Sequence, residues 1–366
     1  MLKIENLELN FPGRLNLFID KLSIENGRTL AIIGPNGAGK TTLLNIIALF
    51  QKPDGGSIQI WGEDILKAAD KLKFRRKISF VFSQPYLFNE TVYNNIALPF
   101  RLRGVRKTQA VDEMLDLFKI GRLKMNMAST LSQGEKHRVA LARAFVTQPR
   151  LVLMDEPFLS LDARFKRSLM NDLRRIVKLS KATVIFVTQD QFEALALCDT
   201  MAVMVNGKIM QQAGPEDIFV RPGSKEIADF VGIETIVEGR VYKKEENLCF
   251  IKVKDKILKA VSEYSAGDDV FFCIRPEDVT LSLPEKQAGE QIDTNSARNH
   301  FQAVIINIEP WRLGYKLILD CGFNLAASVT AQSVKSLDLR IGREITASFK
   351  ATAVHVIRRE SRDDGI

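Results

Sequence analysis

The amino-acid sequence predicts an α/β domain with a mainly parallel sheet, followed by a second domain built almost entirely of β-strands. Short apolar runs alternate with helix-like stretches over roughly the first 235 residues, which is typical of α/β folds. A glycine-rich loop separates the apolar run Thr29–Ile33 from a helix-like stretch at residues 41–50. After about Thr235, short β-like runs follow one another, separated by Gly, Asp and Pro. We therefore expect domains at residues 1–235 and 236–366.

The predicted elements can be placed one by one along the chain. In the first domain we expect strands at residues 2–9, 15–24, 29–33, 78–82, 151–154 and 183–188. We expect helices at residues 41–50, in a helix-rich middle part at 91–149, and at 163–179 and 191–197. The β-like runs of the second domain lie at residues 236–242, 270–274, 303–308, 316–319 and 344–349, with a polar loop at 284–295.

The composition is that of an ordinary globular protein. The chain has 366 residues, of which 46% are hydrophobic and 26% are charged, so it can form two buried cores. Its longest apolar runs fall far short of the ~18–20 residues that a membrane-spanning helix needs. Residues 1–5 do not begin a secretory signal. We therefore expect a protein that stays in the cytoplasm, where any membrane contact is peripheral.

Neither the cysteines nor the net charge identifies a function. The four cysteines lack C-x-x-C spacing, which indicates packing residues rather than a zinc site or disulfides: Cys198, Cys249, Cys273 and Cys321. The net charge of +8 is compatible with nucleic acid, an anionic membrane surface or an anionic ligand. Because the positive charges are spread along the chain, a solvated basic face explains them equally well.

Residues 34–41 fit the phosphate-loop pattern G-x-x-x-x-G-K-[ST] between a strand and a helix, the context that this pattern requires. Glycines let backbone N–H groups surround phosphates, and the helix start directs its positive dipole end at them. Lys40 would reach the β- and γ-phosphates, and the Thr41 hydroxyl would bind Mg²⁺.

Two further segments carry groups that suit nucleotide chemistry. The apolar run Leu151–Asp155 ends in a carboxylate that would hold Mg²⁺, and the next carboxylate, Glu156, would polarise the attacking water. Residues 131–135 read Leu-Ser-Gln-Gly-Glu at a predicted helix start. They form either a second anion-binding helix start or an ordinary N-cap.

Together with Ser160-Leu161-Asp162 and with Thr188-Gln189-Asp190, these motifs resemble the nucleotide-binding subunit of ABC transporters over residues 1–235. The resemblance implies a homodimer that encloses two ATP molecules with Mg²⁺. It also implies that Ser160 to Asp162 form a contact between subunits that links the two sites. The implied nucleotide contacts are Phe11, Gly34, Pro35, Asn36, Gly37, Ala38, Gly39, Lys40, Thr41 and Thr42, with Ser132, Gln133, Gly134, Glu135 and Asp162.

The sequence departs from the family pattern at positions that matter for hydrolysis. Gln189 stands where the family usually has a histidine, and it can donate a hydrogen bond to a γ-phosphate but cannot carry a charge. Ser83 stands at the usual glutamine position, so Gln84 would take that role; Gln133 replaces a glycine. The implied catalytic residues are Glu156, Gln189 and Gln84, and the implied metal ligands are Thr41, Asp155 and Gln84. We expect slower hydrolysis than in relatives with histidine.

The second domain resembles the accessory TOBE domain of importer ATPases at residues 274–279. Residues 296–299, 328–333 and 349–355 resemble the oxyanion-binding β-barrels of molybdate and tungstate proteins. Hydroxyl groups and cations suit a tetrahedral dianion, and the expected ligands are Ser296, Arg298, Thr330, Ser333 and Lys350. These residues are equally explained as ordinary polar groups at strand ends. A filled site would inhibit the transporter.

The resemblance implies an importer ATPase for molybdate or tungstate at the cytoplasmic face of the membrane. Its partners would be integral-membrane permease subunits and, indirectly, a solute-binding protein. Another solute remains an alternative: ferric iron, sulfate, a sugar or a polyamine. An ABC ATPase that acts on DNA or ribosomes would carry a long coiled-coil insertion or two ATPase cassettes, which this sequence lacks, so no nucleic-acid partner is expected. A binding module without hydrolysis is disfavoured by Lys40, Asp155 and Glu156.

Overall fold

The computed structural model describes residues 1–10, 13, 16–284 and 298–359. The chain divides into two compact units, Met1–Ile218 and Phe219–Ile366. The division between these units lies before the boundary expected at residue 235, and the first strand of the second unit begins at Thr235.

The strands and helices of the first unit alternate along the chain. Its strands are β1 Leu2–Leu9, β2 Leu17–Ile24, β3 Thr29–Ile33, β4 Gly55–Ile60, β5 Glu63–Asp64, β6 Ile78–Val81, β7 Leu151–Asp155, β8 Thr183–Thr188, β9 Thr200–Val205 and β10 Lys208–Ala213. Its helices are α1 Lys40–Ile47, α2 Lys71–Arg75, α3 Val92–Arg101, α4 Thr108–Leu117, α5 Gln133–Phe145, α6 Ala163–Ser180 and α7 Gln191–Leu197. Helix α8, Pro215–Val220, crosses the point of division.

The central sheet of the first unit explains why its strands are apolar throughout. Within the described residues its order is β10-β9-β3-β8-β7-β6, and all neighbours run parallel except β10 and β9. Every residue of β3, β7 and β8 is buried. Strands of a parallel sheet are covered on both faces, so they read as continuous apolar runs. Their carboxyl ends meet at one edge, where ligands bind in such folds.

A smaller antiparallel sheet, in the order β2-β1-β4-β5 where the structure describes it, accompanies the parallel sheet. Residues of both sheets and of helix α1 contribute to one hydrophobic core. Helix α1 ends at Ile47, earlier than residue 50, because the chain turns soon afterwards at Leu49, whose φ is 61°. Helices α3, α4 and α5 fill most of the helix-rich middle part expected at residues 91–149.

The second unit is almost entirely antiparallel. Its strands are β11 Thr235–Glu245, β12 Leu248–Val253, β13 Lys256–Val261, β14 Asp269–Ile274, β15 Thr280–Ser282, β16 Asn299–Trp311, β17 Gly314–Asp320, β18 Asn324–Thr330, β19 Glu344–Phe349 and β20 His355–Arg358. Two short helices accompany them, α9 Lys225–Phe230 and α10 Ala331–Ser336.

The strands of the second unit form two sheets around one hydrophobic core, in the part of the unit that the structure describes. Their orders are β13-β12-β11-β14-β20 and β15-β19-β16-β17-β18. Strand β16 begins with alternating buried and exposed residues, so one face packs inward and the other faces solvent. Among the described residues, no helix is long and apolar enough to cross a membrane. The α/β fold followed by an all-β domain is therefore confirmed.

Candidate active site

The glycine loop lies at the carboxyl end of β3 and leads into α1. Gly34 is required there, because an added Cβ would lie 1.9 Å from the carbonyl oxygen of Met204. The first N–H groups of α1 have no intrahelical acceptor. No side chain among the described residues caps this helix start. The helix start therefore presents N–H donors without an intrahelical acceptor, which is the arrangement that a phosphate group needs.

The Lys40 side chain lies folded back against this loop. It is buried, and its Nζ donates hydrogen bonds to the carbonyl oxygens of Gly34 and Pro35, both at 2.8 Å. Burial lowers the pKa of Lys40, while the carboxylates of Glu156 and Asp155 oppose that shift. The ammonium group of Lys40 is thus partly desolvated, and its acceptors are neutral carbonyl oxygens. An arriving phosphate would offer it a stronger, charged acceptor.

Asp155, the last residue of β7, lies beside the start of α1. It is buried, and its Oδ1 accepts a hydrogen bond from the Thr41 hydroxyl at 2.9 Å. Burial raises the pKa of Asp155; the Thr41 hydrogen bond and the Lys40 charge lower it, and the Glu156 charge adds to the rise. A hydroxyl and a carboxylate at this distance are oxygen ligands that suit Mg²⁺.

The side chains of Thr41 and Asp155 supply only part of the ligands that Mg²⁺ needs. In the described part of the chain, no three His, Cys, Asp or Glu side chains gather as a metal-binding group. Mg²⁺ usually keeps several waters and binds through one or two carboxylates together with substrate phosphates. The Thr41 and Asp155 oxygens therefore match a metal that arrives with its nucleotide.

Glu156 follows β7 directly and adopts an uncommon backbone conformation, with φ of 42°. Positive φ is uncommon outside glycine and clusters at functional sites. Its backbone N–H donates to the carbonyl oxygen of Val187 at 3.0 Å, which ties it to the neighbouring strand β8. Its Oε1 accepts a hydrogen bond from Nε2 of Gln189 at 2.7 Å. Adjacent strand ends thus bring together Glu156, expected to polarise the attacking water, and Gln189, expected to donate a hydrogen bond to the γ-phosphate.

Polar residues around Gln189 form a network that the sequence analysis did not identify. The Lys166 ammonium group contacts Oδ2 of Asp190 and Oε1 of Glu193, both at 2.5 Å. Thr188 donates its hydroxyl hydrogen to Glu193 and accepts the N–H of Asp190 at 3.0 Å. The only sequence signal is a lysine one helical turn after Asp162, and a lysine on a helix is normally solvated. Only the fold reveals its partners.

The Ser-Gln-Gly-Glu segment begins helix α5 with a capping box. The Ser132 hydroxyl accepts the N–H of Glu135 at 3.4 Å, and Oε2 of Glu135 accepts the N–H of Ser132 at 3.0 Å. These hydrogen bonds with Ser132 hold the pKa of Glu135 below its ordinary value. Gly134 faces the ring of Phe165, because an added Cβ would lie 2.6 Å from that ring. The segment thus forms an N-cap with a capping box, which is compatible with an anion-binding helix start, and Gly134 packs closely against Phe165.

Helices α5 and α6 are joined by a buried ion pair. Arg138 donates to Oδ2 of Asp172 at 2.7 Å, and its side chain lies 5.1 Å from the ring centre of Phe165. Lys119 donates to Oδ1 of the same carboxylate, also at 2.7 Å. Asp162 caps α6 by accepting the N–H groups of Arg164 and Phe165. The start of α6 and the body of α5 are thus fixed to each other.

The remaining nucleotide-contact residues are placed as follows. Gln84 lies three residues beyond the end of β6, next to the strand that carries Asp155, and its side chain is exposed. Pro35, Asn36 and Gly37 are exposed along the loop, and Ala38 is buried beneath it. Gly39, Thr42 and Gln133 lie at the starts of α1 and α5. Phe11 falls outside the residues that the structure describes.

The structure brings together only part of the expected oxyanion site. Arg298 and Lys350 line one cleft of about 520 Å³, with Glu245 and Glu246 also on its walls. Thr330 and Ser333 instead cap α10, where the Thr330 hydroxyl accepts the N–H of Ser333 at 3.1 Å. Ser296 falls outside the described residues.

The pairing of β16 explains this separation. Asn299, at the start of β16, pairs with Phe349, so Arg298 and Lys350 meet at that end. Thr330 pairs with Gly314, which follows the opposite end of β16. Twelve residue steps along a strand span on the order of 40 Å. Within one chain, the two halves of the expected ligand set therefore do not form one site.

Several known proteins are similar to this chain in sequence. A family model described as ABC transporter matches residues 19–159, and one described as TOBE domain matches residues 295–356. A molybdate/tungstate import ATP-binding protein of Pyrococcus horikoshii is 37% identical, covering 97% of this chain and 99% of its own. A sulfate/thiosulfate import ATP-binding protein of Bacillus cereus is 33% identical, with 92% of each chain covered. A spermidine/putrescine import ATP-binding protein of Protochlamydia amoebophila is 34% identical, covering 83% of this chain and 81% of its own.

Two solved structures resemble part of the chain. One is cbiO1 from Clostridium perfringens, described as part of an ABC transporter complex, with a TM-score of 0.55 and 29% identity. It covers 64% of this chain and 94% of its own. The other is an ATP-binding cassette solved as a dimer after hydrolysis, bound to ADP and Pi, with a TM-score of 0.53 and 29% identity. It covers 59% of this chain and 99% of its own.

Proposed function

The chain belongs to the family of ABC-importer ATP-binding proteins, and we propose that it drives uptake of a tetrahedral oxyanion, molybdate or tungstate. As a member of this family it binds and hydrolyses ATP. The solute is the part that needs a proposal, because its relatives import molybdate or tungstate, sulfate or thiosulfate, and polyamines.

The proposed roles in hydrolysis follow from the contacts at the sheet edge. The N–H groups of the loop and of α1 bind the phosphates, and Lys40 leaves its two carbonyl acceptors for the β- and γ-phosphates. The Glu156 carboxylate accepts a proton from water as the water oxygen attacks the γ-phosphorus. The bond from that phosphorus to the bridging oxygen breaks as the new bond forms. Gln189 holds Glu156 in place through the 2.7 Å hydrogen bond.

Thr41 and Asp155 are the residues that would hold Mg²⁺, with Gln84 as a further ligand from the next strand end. When bound, the metal neutralises developing charge on the phosphate oxygens. The protein's own contribution is the fixed separation of 2.9 Å between the hydroxyl and the carboxylate. Because the Thr41 hydroxyl already points at Asp155, little rearrangement is needed when the nucleotide arrives.

We further propose that two copies act together on membrane permease subunits at the cytoplasmic face. The related cassette solved with ADP and Pi is a dimer, and cbiO1 is part of a transporter complex. In such a dimer, Ser132 to Glu135 of one copy would contact the nucleotide held by the other. Asp162 would lie at the contact between copies. A solute-binding protein would deliver the solute to the permease.

One observation carries the oxyanion proposal: two cations from separate segments, Arg298 and Lys350, line one cleft. A dianion needs such paired charge and accepts bidentate hydrogen bonds from a guanidinium group. Of the two acidic residues there, Glu245 already forms an ion pair with Lys243. Sulfate shares the tetrahedral shape and charge of molybdate, and only measurement separates these anions.

Calorimetric titration of the full chain with tungstate, molybdate and sulfate tests the proposal. We expect tight binding of tungstate and molybdate that is lost in both Arg298→Ala and Lys350→Ala. Lys335→Ala, at an exposed position on α10, is the matched control and should bind normally. If sulfate binds more tightly than molybdate and tungstate, sulfate is the solute. If none of the three anions binds, the oxyanion proposal is wrong.

A second variant tests whether one chain is sufficient. Thr330→Ala removes only the cap of α10, at the far end of β16, so we expect normal tungstate binding. Loss of binding would show that groups from two copies complete the site. In the assembled transporter, saturating molybdate or tungstate should inhibit ATPase activity if the cleft regulates transport.

A further inference from the structure

Lys166 contacts the carboxylates of Asp190 and Glu193, which lie at the start of helix α7, shortly after Gln189. Its Nζ lies 2.5 Å from Oδ2 of Asp190 and 2.5 Å from Oε1 of Glu193. The Glu193 side chain is only 5% exposed, and that of Lys166 is 24% exposed. These charges are therefore less screened by water than an ordinary surface pair.

These contacts fix the backbone on both sides of Gln189. Before it, the Thr188 hydroxyl binds Glu193 and accepts the Asp190 N–H. After it, Asp190 caps α7 by accepting the N–H groups of Phe192 and Glu193. The Gln189 side chain itself is exposed, and its hydrogen bond goes to Glu156. Because few atoms pack around this side chain, its direction depends on the backbone that these neighbours hold.

The other end of the connection is the start of α6. Lys166 lies one helical turn after the N-cap residue, and its N–H donates to the carbonyl oxygen of Asp162 at 2.9 Å. Its ammonium group therefore links the first turn of α6 to the turn that carries Gln189. Asp162 and Gln189 are in this way connected through one side chain.

We propose that Lys166 is a positioning residue for ATP hydrolysis, which orients Gln189 against Glu156 by holding Asp190 and Glu193. This inference rests on the proposed role of Gln189 at the hydrolytic site. Lys166 acts through the turn, by its contacts with Asp190 and Glu193. Its loss should lower kcat, because the hydrogen bond between Gln189 and Glu156 is then made only part of the time. ATP binding depends on the loop at Lys40 and should be retained.

A purely structural ion pair is the competing explanation, and the variants are chosen to separate the two. Removing Lys166 alone leaves the buried Glu193 carboxylate without its cation, which destabilises the fold. Lys166→Met combined with Glu193→Gln removes that unpaired charge and keeps an oxygen for the Thr188 hydroxyl. The double variant should therefore regain stability, but it should not regain the link between α6 and Asp190.

Steady-state ATPase assays of the full chain, with thermal unfolding and binding of a fluorescent ATP analogue, test the proposal. For both Lys166→Met and the double variant we expect kcat to fall at least about tenfold, which corresponds to about 1.4 kcal/mol in the barrier. KM and analogue binding should change little. Lys166→Arg should restore most of kcat, since a guanidinium group can bridge two carboxylates. Arg167→Met, an exposed neighbour, is the matched control.

Two outcomes would overturn the proposal. If the double variant regains wild-type kcat together with stability, Lys166 serves only to neutralise Glu193. If Lys166→Met raises KM with kcat unchanged, it acts on ATP binding instead. Gln189→Ala distinguishes this failure from failure of the proposed function. If Gln189→Ala turns over normally, the role of Gln189 is wrong; if it is slow while Lys166→Met is normal, only the positioning role is wrong.

Discussion

The side-chain amide of Gln189 donates a hydrogen bond to the carboxylate of Glu156 at 2.7 Å. The two residues follow neighbouring strands, β8 and β7, and the backbone N–H of Glu156 also donates to Val187 on β8. The contact therefore depends on the pairing of these two strands. It leaves the other oxygen of Glu156 available to a water molecule.

Gln189→His should raise turnover. An imidazole can donate the same hydrogen bond and can also carry a proton, which an amide cannot. We expect an increase in kcat of about tenfold, equivalent to about 1.4 kcal/mol, measured as phosphate release at saturating ATP. Gln189→Ala is the control that removes the hydrogen bond and should lower kcat. Unchanged or lower turnover in Gln189→His would contradict the expectation that glutamine slows hydrolysis.

Asp155→Asn should raise the Mg²⁺ concentration needed for half-maximal hydrolysis, by about tenfold or more, equivalent to about 1.4 kcal/mol. The amide keeps an oxygen for the Thr41 hydroxyl but removes the negative charge. Burial raises the pKa of Asp155. As the pH is lowered, Asp155 therefore becomes protonated at a higher pH than an ordinary aspartate does. The wild-type Mg²⁺ requirement should therefore rise as the pH is lowered, while that of Asp155→Asn should not. Equal Mg²⁺ dependence of both proteins would remove Asp155 from the metal site.

Gly34→Ala should destabilise the first unit and weaken nucleotide binding. Its Cβ would lie 1.9 Å from the Met204 carbonyl oxygen, so the loop or β9 must move. Overpacking of this kind typically costs about 1–3 kcal/mol, to be measured by urea unfolding. Gly214→Ala is the control, since its nearest neighbour is a flexible carboxylate at 3.4 Å. Equal stability of both variants would show that the loop has room to shift.

Arg138→Met should destabilise the protein at pH 7 by about 3–5 kcal/mol, the usual effect of breaking a buried ion pair. Burial alone would raise the pKa of Asp172, but hydrogen bonds from Lys119 and Arg138 hold it below its usual value of 3.8. A carboxyl with a lowered folded pKa stabilises fully above that usual value. This contribution is lost as pH falls through the lower folded pKa.

The difference between wild type and Arg138→Met should therefore shrink as the pH falls below about 4. Urea unfolding across this range measures it, with Arg175→Met as an exposed control on the same helix. A difference in unfolding free energy that stays constant through the acid range would mean that packing of Arg138, rather than its charge, accounts for the effect.

The sequence was sufficient where function depends on neighbours along the chain. The strand, glycine loop and helix around Lys40 follow one another directly along the chain. An apolar run followed by this glycine spacing is specific for a phosphate-binding loop. The same holds for Asp155 at the end of a buried strand. The α/β and all-β parts followed from the order of short apolar runs, which alternate with helix-like stretches before about residue 235 and follow one another after it.

The sequence was insufficient where function depends on strand pairing or on distant partners. Lys166 lies 24 and 27 residues before its two carboxylates, and nothing in the local pattern connects them. Thr330 and Lys350 were expected at one site because their segments resemble the oxyanion-binding β-barrels of molybdate and tungstate proteins. Their distance depends on the register of β16 with β17 and β19, which the residue pattern does not specify.

The left-handed backbone conformation of Glu156 sets stability against activity at this position. A glutamate at φ of 42° costs conformational energy that a glycine would not. Replacement of Glu156 by glycine should therefore yield a more stable but inactive protein. Selection for thermal resistance and selection for turnover pull in opposite directions at this residue. A lineage that keeps glutamate at this position is under pressure to hydrolyse ATP, whatever solute it has come to import.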